Sequence, residues 1–164
     1  MSPNFKFYYI LCTTPPDLEN ERVAFESAVA EFVEQVSMPE GVLLAAASLR
    51  PPVVASRQKP AIDSNIRTCE FFLQIFGEQW PDPVFPGFVE YAIECLANPS
   101  MVTRNVCVLF RNYQDAAREL RQFREALAAG GRCALGDFTG TGDLAVQLRA
   151  LLAGWYASLK PAAG

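Results

Sequence analysis

The chain has 164 residues, of which 51% are hydrophobic and 20% charged, and its formal net charge is −4. This composition favours one globular domain with its own core, and we expect that domain at residues 5–160, followed by a tail or linker start at 161–164. Histidine is absent, which excludes Ser-His and Cys-His catalysis and histidine metal sites.

Two classes of partner are not expected. The basic residues form no dense run, which argues against binding to nucleic acid. No stretch of apolar residues is long enough for a transmembrane helix, so a membrane is not an expected partner either.

Five short apolar runs, each typical of a β-strand, alternate with helical patterns. The predicted strands are residues 5–12, 41–47, 70–76, 106–110 and 132–138. Most of these runs are continuously apolar, as in strands that are buried on both faces of a parallel sheet. Strands that alternate with helices indicate βα units with right-handed crossovers. We therefore predict an α/β fold with three layers, a doubly wound flavodoxin-like or TIR-like arrangement whose mainly parallel sheet has the strand order 2-1-3-4-5.

The helices are predicted from apolar stripes between these strands. They cover residues 18–36, 63–68, 86–96, 116–127 and 144–159. The first helix starts either with Thr14 as its N-cap and Pro15 in the first turn, or with Asp17 as the cap, and its inner stripe includes Val36. Two proline-rich segments, 50–60 and 77–87, are predicted as irregular connections.

The cysteines indicate a reducing compartment. They are Cys12, Cys69, Cys95, Cys107 and Cys133. No two of them have the CxxC spacing of metal and redox sites, and most lie in apolar runs, which favours buried, reduced thiols over reactive ones. The first residues do not resemble a signal peptide, so we expect a cytoplasmic protein. Without histidine or a CxxC spacing we expect no metal site, and we expect no cofactor.

A ligand site is predicted where the winding of the sheet reverses, beyond the carboxyl ends of strands 1 and 3. The loop after strand 1 contains Thr13, Thr14 and Asp17, whose oxygens lie near a helix N-terminus and suit an anion or a ribose. Ordinary helix capping is the alternative interpretation of the same residues.

The loop and the helix after strand 3 would supply the other side of this site. Trp80 could stack on a base or a sugar, or fold back onto the edge of the sheet. Glu90 lies in the helix that follows, where an ionised carboxylate could act as a nucleophile or stabilise an oxocarbenium ion. The alternative for Glu90 is an ordinary surface glutamate.

Three segments resemble the family called domain of unknown function 4062. Residues 10–22 (ILCTTPPDLENER) resemble its opening of a strand, Ser-Ser-Thr, two residues, Asp-Leu and then Glu-Arg. Residues 66–70 (IRTCE), with GEQW at 77–80, resemble its second motif. The third is FVEYA at 88–92, which resembles Thr-x-x-Glu-Tyr followed by Ala.

The resemblance implies a relationship to TIR domains and nucleoside deoxyribosyltransferases, and a role in intracellular signalling or defence. In enzymes of those superfamilies a glutamate after the third strand carries N-glycosidic bond chemistry, and Glu90 is the matching position. The resemblance thus implies that Glu90 cleaves or transfers at the N-glycosidic bond of NAD or a nucleoside. It also implies ligand contacts from the Thr13, Thr14 and Asp17 loop and from Gly77 and Trp80.

Two functions therefore compete. One is a TIR-like signalling or defence module with a nucleotide-sized pocket and glycosidic chemistry. The other is a non-catalytic module that binds protein partners or self-associates, with a vestigial pocket. A flavodoxin-like FMN carrier is disfavoured, because the first loop lacks a phosphate cradle rich in Ser and Thr.

Overall fold

All five strands lie in one parallel sheet in the computed structural model, which describes residues 4–48 and 59–160. The strands are β1 (Lys6–Thr13), β2 (Val42–Ser48), β3 (Phe71–Phe76), β4 (Asn105–Arg111) and β5 (Ala134–Phe138). Their order is β2-β1-β3-β4-β5 and every pairing is parallel. The predicted fold class and strand order are confirmed.

Helices cover both faces of the sheet. They are α1 (Glu19–Phe32), α2 (Lys59–Thr68), α3 (Val84–Ala97), α4 (Arg118–Gly130) and α5 (Thr141–Leu159). One core cluster joins α1 and α5 to the sheet, and a second joins α2, α3 and α4 to its other face. Right-handed crossovers produce this division, since the chain winds outward from β1 in one direction and from β3 in the other.

The central strand β3 has no exposed residue. Its sequence FFLQIF is buried throughout, because helices pack on both of its faces. Gln74 is the single polar residue among these side chains, and its amide Nε2 donates to the Ile75 carbonyl at 3.0 Å. The continuous apolar pattern that predicted a doubly buried strand is therefore matched by the observed burial.

Strand β1 extends beyond its neighbour β3. It pairs with β2 from Lys6 onward but with β3 only from Ile10 onward. Phe7 and Tyr9 consequently remain 56% and 52% exposed on the face of the sheet that α2 borders.

The first helix ends earlier than the sequence predicts. After Phe32 the chain forms a π-helical turn (Val33–Ser37) and a 3₁₀ turn (Met38–Glu40), and Gly41 at φ +82° closes the segment. The wider π turn rotates the apolar stripe, so the prediction that Val36 faces inward is wrong. Val36 is 38% exposed, and Ser37 takes the buried position in its place.

Neither predicted N-cap caps α1. The N-cap is Leu18, which makes no side-chain cap hydrogen bond, and its amide donates to the Pro15 carbonyl at 3.1 Å. Leu18 is fully buried in the core beside α1. Packing of this leucine, rather than capping by Thr14 or Asp17, defines the start of the helix.

The second helix begins four residues before the predicted start at Asp63, at Lys59. A 2.6 Å ion pair between Lys59 and Asp63 supports this first turn, and proline is compatible with it at Pro60. The other predicted elements differ from the observed ones only at their ends. The predicted connection at 50–60 lies largely outside the described residues, and the predicted tail lies wholly outside them.

All five cysteines are unpaired, and four of them are buried. Burial raises the pKa of the Cys69 and Cys107 thiols to about 12. None of the described helices combines the length and the apolar composition that crossing a lipid bilayer requires.

Candidate functional site

The predicted site lies at the carboxyl edge of the sheet, where β1 and β3 are neighbours. The loop after β1 leads to α1 on one face, and the loop after β3 leads to α3 on the other. Such a reversal leaves a crevice between the two loops in open parallel sheets. The side chains that fill this edge therefore decide what it can bind.

The two threonines of the first loop are turned into the protein. Thr13 and Thr14 are 0% and 1% exposed. Thr13 is the last residue of β1 and pairs in register with Gln74 of β3, and its hydroxyl donates to the Gln74 Oε1 atom. This hydroxyl is already used within the sheet, and the remaining predicted residue of the loop, Asp17, is exposed.

An ion-pair network occupies the edge between the two loops. We call it the Arg111 cluster, and its members are Glu21, Glu78, Arg111 and Asn112. Arg111 ends β4 and binds Glu78 in a bidentate manner, with Nε–Oε1 at 2.9 Å and Nη2–Oε2 at 2.7 Å. Its Nη1 atom donates to Glu21 Oε1 of α1 at 2.5 Å, and the Asn112 side chain donates to Glu78 Oε1 at 2.7 Å. The cluster thereby connects α1, the loop after β3 and the end of β4.

The cluster is electrostatically tight. Hydrogen bonds from Arg111 are the main cause that lowers the pKa of Glu78 to about 2, from an ordinary value of 4.5, and Asn112 contributes further. The same contacts raise the pKa of Arg111 above its usual range. Glu21 is only 4% exposed, so Arg111 compensates a carboxylate with little access to water.

Gly77 is packed against this cluster. It follows β3 directly and is buried. A Cβ atom at Gly77 would lie 3.0 Å from Leu18 Cδ2 and 3.3 Å from Arg111 Nη2. A larger residue here would force these two side chains to shift by a few tenths of an ångström, because the two loops approach closely. This packing leaves little space beside residue 77 for a ligand.

Trp80 packs onto the neighbouring helix. Its ring lies edge-on to Phe123 of α4, with the ring centroids 5.9 Å apart, and it is 36% exposed. The indole therefore packs on a helix, whereas the alternative offered by the sequence placed it on the edge of the sheet.

Glu90 is exposed on the outer side of α3, whose inner side carries Phe88, Val89 and Ala92. It is the seventh residue of the helix, about 9 Å along the axis from its first residue, beyond the strongest part of the helix dipole. Among the described residues its side chain makes no hydrogen bond or ion pair.

No described contact joins the predicted site residues of the first loop to those that follow β3. Gly77 lies against Leu18 and Arg111, and Thr13 ends the neighbouring strand β1. No described contact joins Glu90 or Trp80 to Asp17. Sequence reasoning missed Arg111, although a lone charge that ends an apolar strand at residues 106–110 was an available signal.

A sizeable cavity lies elsewhere. A groove of about 540 Å³ runs between α1 and α5, on the face of the sheet opposite α3. Its walls include several alanines, with Glu31, Arg149 and Lys160 among the polar residues. No predicted site residue lines this groove.

Comparison with known proteins identifies the fold and not the family. No protein-family model and no curated protein matches the chain. Among solved structures, the RPS4 and RRS1 TIR domain heterodimer matches with a TM-score of 0.52 and 12% identity, over 89% of this chain and 96% of that chain. A de novo designed protein with a P-loop 2x3 fold has a TM-score of 0.48 at 12% identity, over 94% of this chain and 98% of that one. The Flv1 flavodiiron core from Synechocystis has 0.42 at 15%, over 91% and 36%. The fold is thus TIR-like.

Proposed function

We propose that this chain is a TIR-like signalling or defence module that acts by binding protein domains, including a second copy of itself, and that it does not turn over a nucleotide. The five unpaired cysteines favour a reducing compartment such as the cytoplasm.

The Arg111 cluster is the observation that carries this proposal. It occupies the carboxyl edge, which is where open parallel sheets bind their ligands, and it uses the only guanidinium of that network on two carboxylates of the same chain. The Thr13 hydroxyl is likewise bonded to Gln74. A pocket built from these groups would need both contacts to break.

The solved TIR structure of similar fold is a heterodimer of two TIR domains. A fold that forms domain pairs in that complex has faces suited to pairing. This likeness supports protein binding as the mode of action for the present chain.

The competing hypothesis is cleavage or transfer at the N-glycosidic bond of NAD or a nucleoside by Glu90. One observation favours it: Glu90 is exposed and makes no ion pair within the described part of the chain. An exposed carboxylate without partners is available to a substrate, but it is equally typical of a solvated helix surface.

The test combines turnover and association. The wild type and Glu90→Gln are incubated at high concentration with NAD and a panel of nucleosides, and the products are measured by mass spectrometry. The wild type is examined in parallel by sedimentation velocity over a wide concentration range. We expect no product above the buffer control for either protein, together with concentration-dependent association of the wild type.

Glu94→Gln is the matched control, because Glu94 is an exposed glutamate one turn further along α3. Turnover that is lost in Glu90→Gln and kept in Glu94→Gln would overturn the proposal in favour of the glycosidic mechanism. A wild type that stays monomeric at every concentration would overturn self-association.

A further inference from the structure

Strand β2 forms one edge of the sheet, and its outer side has no partner strand within residues 4–48 and 59–160. The Gly41 carbonyl accepts from the Lys6 amide at 3.0 Å, so it points toward β1. Backbone groups alternate in direction along a strand. The N–H and C=O groups of Val42, Leu44, Ala46 and Ser48 therefore point outward, away from β1.

This edge lacks the features that normally protect edges. Its sequence is VLLAAAS, with no charge and no proline over seven residues. The opposite edge, β5, is shorter and carries Asp137, which is ion-paired with Arg124. Natural proteins protect exposed edges with charges, prolines or short strands, because an unprotected edge recruits another strand. The two edges of the sheet therefore differ, because β5 is protected against pairing with another strand and β2 is not.

We infer that the outer edge of β2 pairs antiparallel with the same edge of a second copy of this chain, around a two-fold axis at Ala45. The inference rests on the proposed function and names the surface through which self-association occurs. The two sheets then form one continuous sheet across the dimer.

The register follows from the backbone directions. With Ala45 opposite Ala45, Leu44 lies opposite Ala46 and Val42 lies opposite Ser48. These are the residues with outward groups, so every outward N–H and C=O of both strands finds a partner. An isologous contact of this kind closes on itself and gives a dimer rather than a fibre.

The face of the edge on the α2 side suits an apolar contact, whereas Glu26 and Glu34 border the other face beside Ala46. Ala46 and Ala47 are exposed, one on each face of β2, and neither obstructs a neighbouring strand. Phe7 and Tyr9 lie in register with Leu43 and Ala45 on one face and are more than half exposed. The side chains of the strand are uncharged on both copies, so no like charges oppose each other across the pair.

Sedimentation velocity with edge variants tests the inference. Ala46→Pro removes an outward donor and leaves the ladder to β1 intact, and Ala46→Lys places a charge on the edge. Val146→Lys is the matched control, because Val146 is 62% exposed on α5, far from β2 in sequence. We expect both Ala46 variants to weaken dimerisation at least tenfold and the control to leave it unchanged. The unfolding midpoint of each variant verifies that it is folded.

Cross-linking tests the position of the two-fold axis. Opposed residues in a non-hydrogen-bonded antiparallel pair have Cα atoms about 4.5 Å apart, which lies within the range of a disulfide. Ala45→Cys should therefore form a covalent dimer under copper phenanthroline, whereas the wild type and Val146→Cys should not.

The failures can be distinguished. The β2 interface would be overturned if Ala46→Lys dimerised as tightly as the wild type and Ala45→Cys cross-linked no faster than Val146→Cys. Self-association itself would then remain in place. Glu90-dependent turnover would instead overturn the proposed function.

Discussion

Replacement of Arg111 with methionine tests whether the carboxyl edge is held closed by charge. Met keeps much of the length of the side chain but removes its bonds to Glu78 and Glu21. Glu21 is 6% and Glu78 25% exposed in their side chains. Removal of one member of a buried pair costs about 3–5 kcal/mol, and partial exposure reduces that cost. We expect Arg111→Met to lower the free energy of unfolding at pH 7 by about 3 kcal/mol.

The pH dependence is the more specific part of this prediction. The folded pKa of Glu78 is about 2, below its ordinary value of 4.5, so the unfolded chain binds more protons between these pH values. The stabilisation is therefore complete above pH 4.5 and is lost as the pH falls toward 2. The shift corresponds to at most about 3.4 kcal/mol, and solvent screening at a partly exposed carboxylate reduces it to about 1–2 kcal/mol.

Urea unfolding at a series of pH values between 3 and 7, followed by circular dichroism, measures this difference. The gap between the wild type and Arg111→Met should be largest at pH 7 and should narrow below about pH 4.5. Arg124→Met is the matched control, since it removes a more exposed pair with Asp137, together with contacts over the Phe110 and Tyr113 rings. It should cost about 1–2 kcal/mol, less than Arg111→Met. A gap that stays constant with pH, or equal costs for both variants, would refute the closure of the edge by charge.

Three further outcomes are expected. Gly77→Ala should destabilise the fold by about 1–2 kcal/mol in chemical unfolding, because the added methyl group overpacks against Leu18. Gly87→Ala in α3 should instead stabilise it by about 0.5–1 kcal/mol, because no atom lies near its Cβ position. Thiol titration in the native state should modify Cys133 first, because it is the only cysteine that is not buried, and denaturant without reductant should release all five thiols. Trp80→Ala should cost less than about 2 kcal/mol in the same unfolding assay, since the indole loses a contact with one ring and is already partly exposed.

The fold could be predicted because the apolar composition of the strands distinguishes them from the helices and loops. Runs such as FFLQIF are apolar at all but one position, which is typical of a strand buried on both faces, and their alternation with helices leaves few topologies. The end of α1 could not be predicted in the same way. Its π turn depends on how the chain returns to Gly41 and β2, and a helical stripe drawn at 3.6 residues per turn places Val36 inside in error.

The topology predicts where a site would lie, but the contacts at that place could not be predicted. Topology alone places the reversal beyond β1 and β3. Whether Thr13 faces a crevice or Gln74 depends on strand register, and the bond between Arg111 and Glu78 joins residues 33 positions apart in the sequence. Local sequence patterns do not encode such long-range contacts, so a loop that leaves a crevice open and a loop that ion pairs close have the same sequence signal.

The charges of the Arg111 cluster also predict which of two ligands, NAD or a nucleoside, binds more strongly at this edge. The cluster sets one guanidinium against two carboxylates, and Asp17 adds an exposed acidic group to the loop after β1. A phosphate that approached Arg111 would have to displace Glu78, which is ionised at neutral pH and whose lowered pKa reflects its hydrogen bonds from Arg111. An uncharged nucleoside meets no such repulsion. If any ligand enters this edge, a nucleoside should therefore raise the thermal unfolding midpoint more than NAD does at equal concentration, and Glu78→Gln should reduce that preference. A stronger effect of NAD on the wild type would show that the edge opens without regard to the ion pairs that now fill it.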